Sequence, residues 1–264
     1  MILTALSESK KYKTGFALSG GGIKGLCHAG VMKALEEHGI YPEIISGVSA
    51  GAVVGALYAD GFSPDEIATL FEDISFRKMT NIQIPEGGFF RIDAFEKFLK
   101  KTLRAKYIED LKIPLKIVAT DLDKGCSVTF EKGNLVEALV ASSSIPILFS
   151  PKKINGVNYV DGGVLKNFPV SVIRDECEKI IGINASPLVA DEYKLNVLNV
   201  AARIYHFMFK ANILTDKELC DLLIEPVDMA NYDTFDVDKG REIFELGFKS
   251  GKNVLENNYE TLMK

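Results

Sequence analysis

The sequence predicts an α/β fold: a three-layer α/β/α arrangement around a largely parallel central sheet. Three observations carry this expectation. Short apolar runs alternate with segments of helical periodicity through the first two-thirds of the chain. Three of those runs end in glycine-containing turns, G-G-G-I-K-G at 20–25, G-V-S-A-G at 47–51 and D-G-G at 161–163. The 264 residues, 47% hydrophobic and 25% charged, suit one globular domain over 1–264, with core motifs in about 14–185 and a helical part over about 195–264.

The elements follow in order. Thr14–Ser19 is an apolar run ending in three glycines and reads as a buried strand. Gly25–His38 places Leu26, Ala29, Val31, Met32 and Leu35 at helical spacing and closes at Gly39. Glu43–Ser46 is a second strand, running into Ser49 and a helix over Ala50–Ala59. Ser63–Ile74 opens with a serine cap, proline at the first helical position and acids in the first turn. Leu115–Ala119 and Ser127–Phe130 read as strands, Leu135–Ser142 as a helix, and Val157–Val160 and Ile180–Asn184 as strands. Two helical stretches over about 195–214 and 238–256 flank a strand at Asp221–Ile224.

Composition narrows the function. A net charge of −5 argues against nucleic acid as a partner, which needs a strong basic field. Cys27, Cys126, Cys177 and Cys220 lie far apart with no C-x-x-C pair, which suits reduced buried thiols. The N-terminus lacks the charged-then-apolar order of a signal peptide, and no apolar run is long enough to span a bilayer, so a cytoplasmic location is expected.

Each glycine-containing turn has more than one chemical reading. Gly20-Gly21-Gly22-Ile23-Lys24-Gly25 satisfies G-x-G-x-x-G between a strand and a helix, the setting of a dinucleotide fingerprint. The acid that fingerprint needs would be Glu43, which begins its strand instead of ending it. The same loop is also an anion cradle, because backbone N–H groups at a helix start hold negative charge with no Cβ in the way. Gly47-Val48-Ser49-Ala50-Gly51 has the form of a nucleophile elbow, where a strained serine sits between strand and helix and small flanking residues permit their close approach. Asp161, ahead of Gly162 and Gly163, is either a turn aspartate capping its own backbone or a partner for Ser49.

An elbow serine ordinarily implies a histidine. Three are available. His38 ends a helix, where an imidazolium caps favourably. His206 lies in an apolar helical stretch. His28 sits one turn beyond Gly25, facing inward, where it orders the loop rather than doing chemistry. None follows the serine and acid in the order of an α/β-hydrolase triad.

Taken together, G-G-G-I-K-G, G-V-S-A-G and D-G-G resemble the patatin-like phospholipase family, joined by A-T-D-L-D-K-G at 119–125, A-S-S-S-I-P at 141–146 and Y-V-D-G-G-V-L-K-N-F-P-V at 159–170. Weaker similarity continues through C-D-L-L-I-E-P at 220–226 and Glu245-Leu246-Gly247. The resemblance implies a serine–aspartate dyad without histidine: Ser49 as nucleophile, Asp161 as proton acceptor, and Gly20, Gly21 and Gly22 as oxyanion hole. Lys24, Gly25, Gly47, Gly51, Gly162 and Gly163 support these motifs, Lys24 standing where the family often has arginine. It implies a lipid or phospholipid substrate, a transient membrane contact, and no cofactor or metal. A free aspartate, with pKa near 3.9, is poorly matched to a serine hydroxyl, so burial is expected to raise its basicity.

Some features remain ambiguous. Asp121 and Asp123 lack the other ligands of a calcium loop and read as turn residues. Phe95, Phe98, Leu99, Thr102 and Leu103 share a helical face beside Lys97, Lys100, Lys101, Arg104 and Lys106, which suits a solvated lysine face or a membrane-surface helix. Ile204, Phe207, Met208 and Phe209 suggest a helix buried against the core, and Thr80–Arg91 a loop near the site. The expected activity is acyl-ester hydrolysis. A thioesterase or acyltransferase with the same dyad, a dinucleotide-binding protein and a silent lipid-binding scaffold stand as alternatives.

Overall fold

Eight strands form one mixed sheet in the computed structural model, which describes residues 9–72, 92–187, 207, 212–234 and 237–262. The strands are β1 (Tyr12–Leu18), β2 (Ile44–Val48), β3 (Leu115–Asp121), β4 (Cys126–Phe130), β5 (Lys152–Ile154), β6 (Val157–Asp161), β7 (Cys177–Ile183) and β8 (Leu222–Ile224). Their order is β5-β6-β3-β2-β1-β7-β8, with β4 also paired to β3. β3, β2, β1, β7 and β8 run parallel, whereas β4 and β6 are antiparallel to β3 and β5 is antiparallel to β6. The parallel core matches the expectation, and the antiparallel end adds β5, which the sequence reading omits.

The helices are α1 (Leu26–Glu37), α2 (Ala50–Ala59), α3 (Pro64–Glu72), α4 (Asp93–Thr102), α5 (Leu135–Ser142) and α6 (Gly240–Leu262), with a further helical segment at 212–218. Side-chain alternation along β1 separates the two faces of the sheet. Phe16 and Leu18 join the larger core with residues of α1, α2, α3 and α6, while Ala17 joins a smaller one with Phe168, Ile173 and Ile213. β7 divides in the same way, Ile181 and Ile183 facing one core and Ile180 the other. Burial on both faces explains why β1 and β2 read as continuous apolar runs.

Local signals explain the element boundaries. Ser63 and Glu66 form a reciprocal capping box at α3: Ser63 N–H donates to Glu66 Oε2 at 2.8 Å, and Glu66 N–H to Ser63 Oγ at 3.3 Å. β2 begins and ends two residues or fewer from its predicted bounds, continuing to Val48 so that Ser49 directly follows the strand. His38 closes α1 through a 2.8 Å contact of Nδ1 with the Ala34 carbonyl. Asp121 Oδ1 accepts from Lys124 N–H and Asp123 binds Asn158, the turn roles expected of them.

Two expectations need correction. Cys126 is exposed and Cys220 only partly buried, so burial holds for Cys27 and Cys177 alone; all four thiols are free. Phe207 is helical but 53% exposed, not packed on the core. Ile204, His206, Met208, Phe209 and the Thr80–Arg91 loop lie outside the described residues. On α4, Leu99 is buried and Phe95 and Phe98 pack on the core, leaving Lys97, Lys100 and Lys101 exposed. Among the described residues no helix is long and apolar enough to cross a membrane.

Candidate active site

The sheet register brings the second and third glycine turns together. Val118 of β3 pairs with Val48 on one side and Thr129 on the other; Ala119 pairs with Val128 and with Asp161. Since β4 occupies one edge of β3 from Ile117 to Asp121, β2 and β6 must share the opposite edge. β2 therefore stops at Val48 and β6 takes over from Asp161, so the residue after β2 and the last residue of β6 become neighbours. Ser49 and Asp161 are those residues.

Ser49 has φ 51° and ψ −123°, a conformation rarely populated by a residue with a Cβ. The strain is held by its surroundings. Ser49 N–H donates to Ser142 Oγ at 2.7 Å, and that hydroxyl donates onward to the Val118 carbonyl, also at 2.7 Å. The close approaches predicted for the flanking glycines are present: a Cβ on Gly47 would lie 2.7 Å from Ala52 N, and one on Gly51 would lie 2.5 Å from the Ser19 carbonyl oxygen. Gly51 thus faces the end of β1 rather than its own strand. Gly25 lets the glycine loop press on α2, where its Cβ would meet Ala50 Cβ at 2.7 Å.

Asp161 is 1% exposed and Ser49 6%. The Ser49 hydroxyl lies close enough to the Asp161 carboxylate to favour its charged form, and Gly163 N–H donates to Oδ1 at 2.7 Å. Asp161 N–H is held by the Ser144 carbonyl at 2.9 Å, and its own carbonyl accepts from Thr120 Oγ1 at 3.1 Å. Burial pushes the carboxyl up to about 7, against the smaller downward pull of the two hydrogen bonds. Gly162 makes the approach possible, because a Cβ there would lie 2.6 Å from Val48 Cγ2. Ser142 and Ser144, within A-S-S-S-I-P, thus tether both residues; their order in the sequence carried no sign of that role.

The glycine loop lies across from Ser49, and a Cβ on Gly20 would be 3.4 Å from Ser49 Cβ. Its three N–H groups are not equivalent. Gly20 N–H already donates to the Asn167 carbonyl at 3.1 Å, whereas among the described residues no acceptor is seen for Gly21 or Gly22 N–H. Gly22, at φ 61°, turns the chain into the one-turn 3₁₀ segment Gly22–Gly25 that precedes α1. Lys24 is part of that turn, its Cβ 3.4 Å from where a Gly21 Cβ would be. His28 is fully buried and its Nε2 lies 2.8 Å from the Ser19 carbonyl, which fits loop ordering; burial pushes it down to about 4. Glu43 accepts from Lys13 N–H at 2.8 Å, near where β1 begins and at the far end of the strands from the loop. That is not where a ribose-binding acid would stand. No group of three or more His, Cys, Asp or Glu side chains able to hold a metal occurs among the described residues.

A strained serine follows a parallel strand and stands beside a buried carboxyl and open backbone N–H groups, the arrangement that a nucleophile elbow presents. The family profile of patatin-like phospholipases matches residues 16–173, which include all three glycine turns, and the chain belongs to that family. It is 31% identical over 215 residues to the uncharacterized protein YqhO of Bacillus subtilis, covering 69% of this chain and 74% of that protein. It is 26% identical over 276 residues to human patatin-like phospholipase domain-containing protein 6, covering 90% of this chain but 20% of the relative. An uncharacterized NTE family protein of Mycobacterium tuberculosis is 34% identical over 185 residues, and the chain spans 49% of its length. The fold is shared with the crystal structure of VipD from Legionella pneumophila, at a TM-score of 0.64 over 97% of this chain and 72% of that one, with 16% identity. Family membership supports lipid hydrolase activity.

Proposed function

We propose that this protein is a serine acyl hydrolase that cleaves fatty-acyl ester bonds of lipids, phospholipids foremost, with Ser49 as nucleophile and Asp161 as its general base. The observation that carries the reading is the Ser49 hydroxyl set beside a buried carboxyl pushed up to about 7. A carboxylate with that affinity for a proton is far better matched to an alcohol than a free aspartate. Its elevation comes from burial, so no histidine is needed to bridge the gap.

In the proposed cycle Ser49 Oγ attacks the ester carbonyl carbon as its proton passes to Asp161. The carbonyl π electrons move onto the oxygen, which the glycine loop receives. Collapse of the tetrahedral species expels the alcohol, which takes the proton from Asp161 and leaves an acyl group on Ser49. Water then repeats the attack with Asp161 as base, releasing the fatty acid and restoring the serine. The α2 N-terminus, directly after Ser49, adds favourable potential to the developing negative charge.

A fluorophosphonate probe tests the reading. Labelling of the wild type that disappears in Ser49→Ala and Asp161→Asn supports it, and a folded wild type that takes up no probe would sink it. Product analysis on a panel of diacyl phospholipids, monoacylglycerols and acyl thioesters then separates phospholipase from esterase, thioesterase or acyl transfer.

A further inference from the structure

Asn167 is 1% exposed, yet among the described residues neither its Oδ1 nor its Nδ2 has a hydrogen-bond partner. A buried primary amide with no partner is costly, and folded proteins rarely keep one without a use. The backbone of Asn167 is fully engaged: its N–H donates to Asn212 Oδ1 at 2.8 Å and its carbonyl accepts from Gly20 N–H at 3.1 Å. Asn212 is itself anchored, donating from Nδ2 to the Gly163 carbonyl at 3.1 Å. The side chain is thus fixed between the D-G-G turn and the glycine loop, with its amide unspent.

Position gives that amide a purpose. The point where Gly20 would carry a Cβ lies inside van der Waals contact of Asn167 Oδ1 and 3.4 Å from Ser49 Cβ. The amide and the serine therefore both lie against the side of Gly20 where a Cβ would point; Oδ1 is the atom beside it, and since neither end of the amide is held by a partner, a half-turn about Cβ–Cγ presents Nδ2–H there. In the same place the loop is one donor short, because Gly20 N–H is committed to the Asn167 carbonyl.

We propose that Asn167 is a catalytic residue: its side-chain amide donates a hydrogen bond to the substrate's carbonyl oxygen as negative charge develops there, completing the oxyanion site with Gly21 and Gly22 N–H. The proposal rests on Ser49 being the nucleophile. The residue takes Gly20's N–H through its backbone and returns a donor through its side chain. The cost of leaving the amide unpartnered in the free enzyme is recovered only when an oxyanion binds beside it, the differential stabilisation that accelerates a reaction.

The test compares Asn167→Leu and Asn167→Ala with the wild type for kcat, KM and thermal midpoint, alongside fluorophosphonate labelling of wild type and Ser49→Ala. The expected result is a loss of about 10²–10³ in kcat, the usual effect of removing one oxyanion donor, with KM changed less than about fivefold. The thermal midpoint of Asn167→Leu is expected to equal or exceed that of the wild type, since an apolar side chain removes two orphaned polar atoms. A kcat within about threefold of wild type in either folded variant overturns the proposal. So does a fall in kcat matched by a fall in melting temperature in both variants, which marks a structural role. If wild type takes no probe, it is the nucleophile assignment that fails; if wild type labels normally while Asn167→Leu turns over unimpaired, only the Asn167 role is lost.

Discussion

Ser49 and Asp161 meet at the point where β2 gives up the edge of β3 and β6 takes it over. The consequence is a pair of side chains fixed by sheet register rather than by a flexible loop. Val118 and Ala119 are consecutive residues of β3; one pairs with the residue before Ser49 and the other with Asp161 itself. Two groups held this way approach one another with little conformational entropy left to lose.

Asp161→Asn is expected to abolish turnover and, in the same variant, to stabilise the fold in a pH-dependent way. The folded carboxyl is raised from 3.8 to about 7, so the wild type carries this group without penalty below about pH 4 and loses stability as pH rises through 7. Asparagine never ionises. The stability gain of the variant should therefore approach the order of 4 kcal/mol at pH 8, where the wild type buries a charge, and vanish near pH 4. Urea titrations of both proteins at the two pH values check this. A gain independent of pH would contradict the raised carboxyl.

The pH–rate profile should show an acid limb near pH 7, with kcat rising as Asp161 gives up its proton. Such a limb would ordinarily be ascribed to histidine. His28 cannot be its source, because burial holds it near 4 and neutral across the range. The limb should persist in His28→Gln, even where loosening of the Ser19 contact lowers the absolute rate. Its disappearance in that variant would reassign the base.

Ser49→Gly should melt higher than Ser49→Ala. Both remove the hydroxyl, but only glycine is unstrained at φ 51° and ψ −123°. A difference of about 1–2 kcal/mol is expected from relief of backbone strain alone. Equal melting temperatures would mean that the elbow relaxes once its hydroxyl is gone.

The parallel core was legible in the sequence because β1, β2 and β7 are buried on both faces, and continuous apolar runs signal that without any knowledge of partners. The nearness of Ser49 to Asp161 was legible only through the family's ordered motifs: what brings the two together is a change of partner along β3, and register between distant strands leaves no local mark. The β5–β6 hairpin was missed although its signal is present. Asn155-Gly156 joins two three-residue-or-longer strands through a two-residue turn with φ 50° and 88°, the geometry an Asn-Gly pair favours. Lys152–Ile154 is short and carries two lysines, so it lacks the apolar pattern that marked the other strands. Nothing in the sequence singles out Asn167, because an orphaned amide is a property of packing.

Gly51 and Gly55 provide a matched pair on α2 that tests how tightly the elbow is built. A Cβ on Gly51 would lie 2.5 Å from the Ser19 carbonyl oxygen and closer still to that of Leu18, both backbone atoms at the end of β1. They cannot rotate aside, so Gly51→Ala must push α2 away from β1 and from the glycine loop. A loss of about 1–3 kcal/mol is expected, together with most of the activity, because the displacement moves Ser49 relative to its donors. A Cβ on Gly55 would meet Ile45 Cγ2 at 3.0 Å, Leu115 Cδ1 at 3.3 Å and Leu18 Cδ1 at 3.4 Å, all side-chain atoms that can shift slightly. Replacing a mid-helix glycine by alanine gains about 0.5–1 kcal/mol of helix propensity, which offsets that crowding. Gly55→Ala should therefore keep near-wild-type stability and turnover while Gly51→Ala loses both. Thermal melts and esterase rates measured side by side decide it, and comparable losses in the two variants would show that close packing along all of α2, not the elbow alone, sets the position of Ser49.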